Sequence, residues 1–166
     1  MNNYKIEIKW AMIFVIVGLL WMYFEKFVGL HSTHIDKQMI YTNFFSILAV
    51  AVYIFALIDK RKNYFENVMS FKQGFISGLI ITGIVTLLSP LSQIITSLVI
   101  TPEYFPNVIS YVVEHGMMTQ ESAENQFNLQ NYIITGLIFA AITGIVTSAI
   151  VAAIVQKKPK STLEIK

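Results

Sequence analysis

Four long apolar segments constrain this chain more than any other feature of its sequence. They cover residues of about 8–30, 38–58, 72–100 and 131–155 and carry few charged side chains. A helix rises about 1.5 Å per residue, so roughly 20 apolar residues cross the hydrocarbon core of a bilayer. The sequence therefore predicts an all-α fold, an integral membrane bundle of four transmembrane helices that forms a single domain over residues 1–166.

The positions of the basic residues predict the orientation of these helices. The first and third loops contain only Lys26 and Lys37, and the other ten of the 12 basic residues lie at the two termini and in the second loop. Because cytoplasmic loops are enriched in Lys and Arg, both termini are expected in the cytoplasm, with the first and third loops outside. A net charge of +2 is too small to indicate a nucleic-acid partner.

Small residues predict where the helices pack. Lipid-immersed helices lack a strong hydrophobic drive to associate, so small side chains that allow close approach mark their contacts. The third segment has glycines four residues apart, and the fourth has an unbroken stripe at the same spacing, the six residues being Gly74, Gly78, Gly136, Ala140, Gly144 and Ser148. The third and fourth helices are therefore predicted to pack along this line. Ser70 and Gln73 form a capping-box pattern at the start of the third helix.

The third loop is predicted to form a short helical hairpin. Val108 and Val112 lie on one face of a helix, and Thr119 can cap a second helix that presents Ala123. Loops of this length are usually functional or disordered, which favours a lid or a docking surface. The alternative is a hairpin that lies on the membrane surface with its apolar face towards the lipid.

The outer loops contain the candidate metal ligands of the chain. His31, His34 and Asp36 lie within six residues of one another, and His115 lies in the third loop. Zinc accepts such ligands, but their spacing matches no established site, so no metal and no cofactor is predicted. The alternative interpretation is a polar turn in which Asp36 is the N-cap of the second helix.

Glu25, Asn43 and Gln93 form a candidate outer-face site because they lie at similar depth. Glu25 shares a helical face with Phe14 and Gly18. Ionisable residues near a membrane usually face the bundle interior and are functional candidates. The favoured interpretation is nevertheless a solvated carboxylate at the outer end of its helix, with Lys26 beside it.

Sequence motifs along nearly the whole chain carry a resemblance to a known family. They include YKIEIKWA at 4–11, EKFVGLH at 25–31, HIDK at 34–37, KQGFISGLIITGIVT at 72–86 and ITPEYFPNVI at 100–109. On these motifs the chain resembles a family of small bacterial inner-membrane proteins, a domain of unknown function (family four-one-nine-nine). The resemblance implies a four-helix protein of the bacterial cytoplasmic membrane with no established activity and no catalytic residues to carry over.

The function predicted from the sequence is that of a multi-pass, non-enzymatic membrane protein with a structural, accessory or regulatory role. Its expected partners are the lipid bilayer and either further copies of itself or another membrane protein. One alternative is a small transporter or channel subunit, although no ionisable residue is expected at mid-depth, where ion relays usually lie. A second alternative is a membrane enzyme or metal-binding protein that uses the outer histidines.

Overall fold

A computed structural model describes residues 4–159 and shows an all-helical chain. The described residues form seven α-helices: α1 (Lys5–Phe27), α2 (Ile35–Tyr41), α3 (Phe45–Asn63), α4 (Phe71–Ile95), α5 (Tyr104–Glu114), α6 (Gln120–Gln126) and α7 (Leu129–Val155). A 3-10 turn at Thr42–Phe44 joins α2 to α3, and a π-helical turn at Thr96–Ile100 extends α4.

Four helical spans are long and apolar enough to cross a membrane: Lys5–Phe27, Ile35–Asn63, Phe71–Ile100 and Leu129–Val155. The prediction of four membrane-spanning helices is therefore confirmed. The first span begins and ends about three residues earlier than predicted, and the second begins three residues earlier than its predicted start at residue 38. Asp36 is not the N-cap of this span, because His34 precedes the first helical residue and Asp36 lies in the first turn.

The spans run up and down, so the bundle has two distinct ends. We call the first the terminal end, where α1 and α4 begin and α3 and α7 finish. The capping box at Ser70 and Gln73 is confirmed here, with the Ser70 side chain accepting from the Gln73 backbone and the Gln73 side chain accepting from the Ser70 backbone. Arg61 of α3 donates to the last carbonyl of α7, that of Val155, at 2.6 Å. We call the opposite end, where α5 and α6 lie, the hairpin end.

Helices α4 and α7 approach closely over the half of the bundle near the terminal end. A Cβ atom added at Gly78 would lie 2.7 Å from the Ser148 side chain, and one added at Gly144 would overlap Thr82. Gly74 lies similarly close to Ala152, with 3.3 Å between the added Cβ and the Ala152 Cβ. Small residues are needed here because any larger side chain would force the backbones apart.

The predicted close packing is wrong at Gly136. Nothing lies within 4 Å of a Cβ added at this position. Ala140, one turn further along the stripe, is half-buried. A groove lined by Gln93 of α4 and Gly136 of α7 separates the two helices at this level. The two helices therefore pack at the terminal end and diverge towards the hairpin end, which a stripe in one helix cannot reveal.

The helical hairpin predicted in the third loop is confirmed as α5 and α6. Thr119 caps α6 by accepting from the Ser122 backbone. Val108 and Val112 of α5 are buried against Ala123 of α6, and Ile35 at the start of α2 packs against this cluster. The apolar faces of the two short helices thus cover each other and the first loop.

Candidate functional site

One face of α1 points into the bundle and carries a buried carboxylate at each end. Glu7, Ala11, Phe14, Gly18, Trp21 and Glu25 follow one another at intervals of three or four residues, which places them on one side of a helix. Glu7 is 1 % exposed and Glu25 is 0 % exposed. Buried carboxylates in membrane-spanning helices are costly, so both positions are functional candidates.

At the hairpin end, Glu25 is paired with a histidine. Its Oε2 atom lies 3.0 Å from Nε2 of His31, which is 3 % exposed. The indole N–H of Trp21 donates to the other carboxylate oxygen at 2.5 Å. The favoured prediction of a solvated interfacial carboxylate is therefore wrong, because the side chain points inwards and both of its oxygens have protein partners.

A glycine turn places His31 over the carboxylate. The Leu30 N–H bonds to the Glu25 carbonyl and the Gly29 N–H bonds to the Lys26 carbonyl, the two hydrogen bonds of a Schellman motif. Gly29 has a φ of +81°, a left-handed conformation that side chains rarely adopt. A Cβ there would also lie 2.5 Å from the Thr33 hydroxyl. The turn ends α1 and folds the chain back over its last turn, which brings residues 25 and 31 together.

His31 also contacts the hairpin. Its ring lies edge-on against Tyr104 of α5, with 5.1 Å between the ring centroids. The Asn107 side chain donates to the His31 carbonyl at 2.9 Å. The Tyr104 hydroxyl lies 3.1 Å from that of Tyr132 on α7. Glu25, His31 and the two tyrosines therefore connect α1, the first loop, α5 and α7, and we call these four residues the hairpin-end cluster.

The electrostatics of this cluster favour neutral tyrosines around the carboxylate. Burial raises the pKa of the Tyr104 hydroxyl far above its usual value, and nearby Tyr132 and Glu25 raise it further. Tyr104 therefore keeps its proton. Within residues 4–159, Nδ1 of His31 is buried without a hydrogen-bond partner. The side-chain hydrogen bonds described here hold the imidazole through Nε2 alone.

At the terminal end, Glu7 is paired with a lysine. The Lys60 ammonium lies 2.8 Å from Oε1 of Glu7, and the Ser77 hydroxyl donates to the same oxygen at 2.7 Å. Lys60 is 4 % exposed, and its ammonium lies over the Tyr64 ring at 3.8 Å from the centroid. Sequence reasoning missed this site because Lys60 was counted among the basic loop residues. The spacing of Glu7 to Ala11 and Phe14 on the inward face was the available signal.

The other predicted site residues do not converge. His34 and Asp36 are exposed, and His115 is exposed with its ring bonded to the Tyr111 carbonyl of its own helix. Asn43 donates to the Met39 carbonyl, and Gln93 donates to Ser97. Across residues 4–159, no group of three His, Asp or Glu side chains is placed to hold a metal ion. Glu25 and His31 are the only two of these candidates joined by a hydrogen bond within the described part of the chain.

These features define a class, a multi-pass helical membrane protein with a buried acid paired at each end of its first helix. The chain belongs to the family described as "Protein of unknown function (DUF4199)", whose sequence model matches residues 9–157. The suspected family membership is thereby confirmed. No curated protein and no solved structure matches the chain.

Proposed function

We propose that this chain is a non-enzymatic regulatory or accessory component of the bacterial cytoplasmic membrane, with both termini in the cytoplasm. In this proposal the α5–α6 hairpin is the responsive element, and the pairing state of Glu25 and His31 decides how firmly it is docked. The bilayer surrounds the bundle, and the released hairpin would meet a second copy or another membrane protein. The observation that supports it most is the contact of the His31 ring with Tyr104.

The chemistry of the pair suits a regulatory role. A carboxylate that accepts from an imidazole N–H makes a charge-assisted hydrogen bond, which is stronger than a neutral one. His31 also holds the hairpin through its own carbonyl and Asn107. The imidazole itself lies against Tyr104, so a change at the ring acts directly on α5.

The test compares two histidines of the same turn. The chain has no cysteine, so a single Ala123→Cys variant reports on hairpin opening without background labelling. Ala123 is 0 % exposed, and its thiol would react only when α6 leaves α5. We expect His31→Ala to raise the maleimide labelling rate about tenfold, the factor for a loss of about 1.4 kcal/mol when the ring contact with Tyr104 is removed. His34→Ala, at an exposed position, is the matched control and should leave the rate unchanged.

Two results would refute the proposal. Equal labelling rates in both histidine variants would mean that His31 does not hold the hairpin. Slow labelling of an exposed Ser122→Cys variant by an impermeant maleimide in intact cells would place the hairpin on the wrong side of the membrane.

A second candidate function is a small ion or proton transporter. It is favoured by the two buried acids on one face of α1. In the bundle, the Thr82 hydroxyl of α4 is hydrogen-bonded both to Tyr53 of α3 and to Ser148 of α7. Ionisable groups inside membrane bundles commonly mark ion pathways. Flux through purified protein in liposomes that is lost in Glu7→Gln and Glu25→Gln variants would favour this function over a regulatory one.

A further inference from the structure

At the hairpin end, a groove along α7 has two compartments of different chemistry, one between α6 and α7 and one that extends from α7 towards Gln93 of α4. The first has a volume of about 710 Å³ and is lined by amides and hydroxyls, among them Asn125, Gln126 and Asn131. The second has a volume of about 540 Å³ and is lined mainly by apolar residues, among them Phe139 and Ile142. Both compartments are open to the surface of the bundle.

The two compartments adjoin each other. Tyr132 and Thr135 line both of them. The Tyr132 ring is fixed between those of Tyr104 and Phe105, so this shared wall is held by the hairpin. The step from Asn131 to Phe139 is eight residues of α7, or about 12 Å at 1.5 Å per residue. The groove thus runs from the end of a membrane span towards its apolar middle. A lipid molecule, with a polar headgroup and an apolar acyl chain, changes in polarity in the same direction.

Gly136 opens the apolar compartment. It belongs to the small-residue stripe of α7, but nothing lies within 4 Å of a Cβ added there. Gly136 is therefore not needed for close packing between helices. Because it has no side chain, the groove is deeper at this position. Phe139 and Ile142, 70 % and 59 % exposed, form the apolar sides against which an acyl chain would pack.

The lining of the polar compartment indicates which kind of lipid headgroup would fit there. Among the residues that the structure describes, no charged side chain lines either compartment. The loop that contributes the hairpin, residues 101–130, has four glutamates and no Lys or Arg. A phosphate would find no cation here and would lie near negative charge, which is unfavourable. Amides, hydroxyls and aromatic rings instead suit an uncharged group with many hydroxyls.

We propose that this groove binds a membrane lipid with an uncharged sugar headgroup, a glycosyl diacylglycerol, with the sugar against Asn125 and Gln126 and one acyl chain over Gly136. The inference is independent of the regulatory role proposed above, since it rests on the groove and not on the Glu25–His31 pair.

The test is lipid binding to the purified full chain by native mass spectrometry. The detergent should have a polyoxyethylene headgroup, because alkyl glycosides would compete for the site. The probes are monoglucosyl diacylglycerol, phosphatidylethanolamine and phosphatidylglycerol with identical acyl chains, and glucose alone. We expect one molecule of the glucosyl lipid to bind about tenfold more tightly than either phospholipid, with no retention of glucose. Equal binding of the three lipids, or retention of glucose alone, would overturn the proposal.

Two glycines provide a matched pair of variants. Gly136→Leu fills the apolar compartment and should weaken binding of the glucosyl lipid about tenfold. Gly83→Leu on α4 is the control, because Gly83 also has nothing within 4 Å of an added Cβ but does not line the groove. Its binding should match the unsubstituted chain. Equal binding by both variants, or equal loss in both, would refute a site at Gly136.

The polar half can be tested where folding is not at risk. The side chains of Asn125 and Gln126 are exposed, so the double variant Asn125→Ala, Gln126→Ala should keep the melting temperature of the lipid-free protein. We expect it to lose the preference for the glucosyl lipid over the two phospholipids. A retained preference would show that these amides do not read the headgroup and would overturn that assignment.

Discussion

Helix α1 has a buried carboxylate at each end of the bundle, and the two carboxylates have different partners and different surroundings. At the terminal end, Glu7 is bound by Lys60 and Ser77, and helices α4 and α7 pack tightly against each other. At the hairpin end, Glu25 is hydrogen-bonded to His31, which lies in a short turn after α1. Helices α4 and α7 are further apart here and a groove lies between them. The comparison indicates a fixed end and an adjustable end.

The largest expected effect tests whether the terminal end is the fixed one. Lys60→Met would leave the Glu7 carboxylate buried without its cation, and breaking a buried ion pair in this way typically costs about 3–5 kcal/mol. The measurement is the free energy of unfolding in mixed micelles of mild detergent and SDS. The double variant Glu7→Gln, Lys60→Met removes both charges and should recover most of the loss. A loss below about 1 kcal/mol in the single variant would mean that the pair is hydrated and not buried.

The second prediction concerns the packing difference along α7. Gly144→Ala places a methyl group on Thr82, whereas Gly136→Ala places one in open space. Both changes gain up to about 1 kcal/mol of helix propensity, but only the first is overpacked, at a typical cost of about 1–3 kcal/mol. We expect Gly144→Ala to be less stable than Gly136→Ala by about 2 kcal/mol in the same unfolding assay.

The reverse order would contradict the divergence of the helices. It would mean that α4 and α7 pack at Gly136 and separate at Gly144. Gly83→Ala, at another open position, provides the baseline for the propensity gain alone.

The contrast also explains what could be predicted from the sequence. Apolar length, helix caps and the period of the hairpin helices are local signals, and they correctly predicted the four spans, the capping box at Ser70 and the cap at Thr119. The stripe on α7 identified the face that α4 contacts, but local spacing does not tell where the partner departs, so Gly136 was assigned wrongly. Orientation relative to the cytoplasm remains a prediction from the basic residues.

The buried sites depended on the fold in a different way. Glu25 was recognised as sharing a face with Phe14 and Gly18, but its partner lies six residues away, beyond a left-handed glycine turn at Gly29. Glu7 and Lys60 are separated by more than fifty residues, and both lie among charges that look like solvated helix ends. Only the packing of α1 against α3 and α4 brings Glu7 to both Lys60 and Ser77.

The smallest expected effect tests whether the hairpin end is the adjustable one. Glu25→Gln keeps an acceptor for the His31 imidazole but removes the carboxylate, so the hydrogen bond that positions the ring against Tyr104 becomes a weaker, neutral one. We therefore expect the labelling rate of Ala123→Cys to rise by a factor of about three to ten, equal to about 0.6–1.4 kcal/mol. The quantity to report is the labelling rate at Ala123→Cys divided by that at the exposed Ser122→Cys. A Val155→Cys variant reports on the terminal end in the same way, and its ratio should not change. If the hairpin ratio stayed constant, or rose equally in a His31→Ala background, the Glu25–His31 hydrogen bond would not hold the hairpin and the two ends would differ in packing alone.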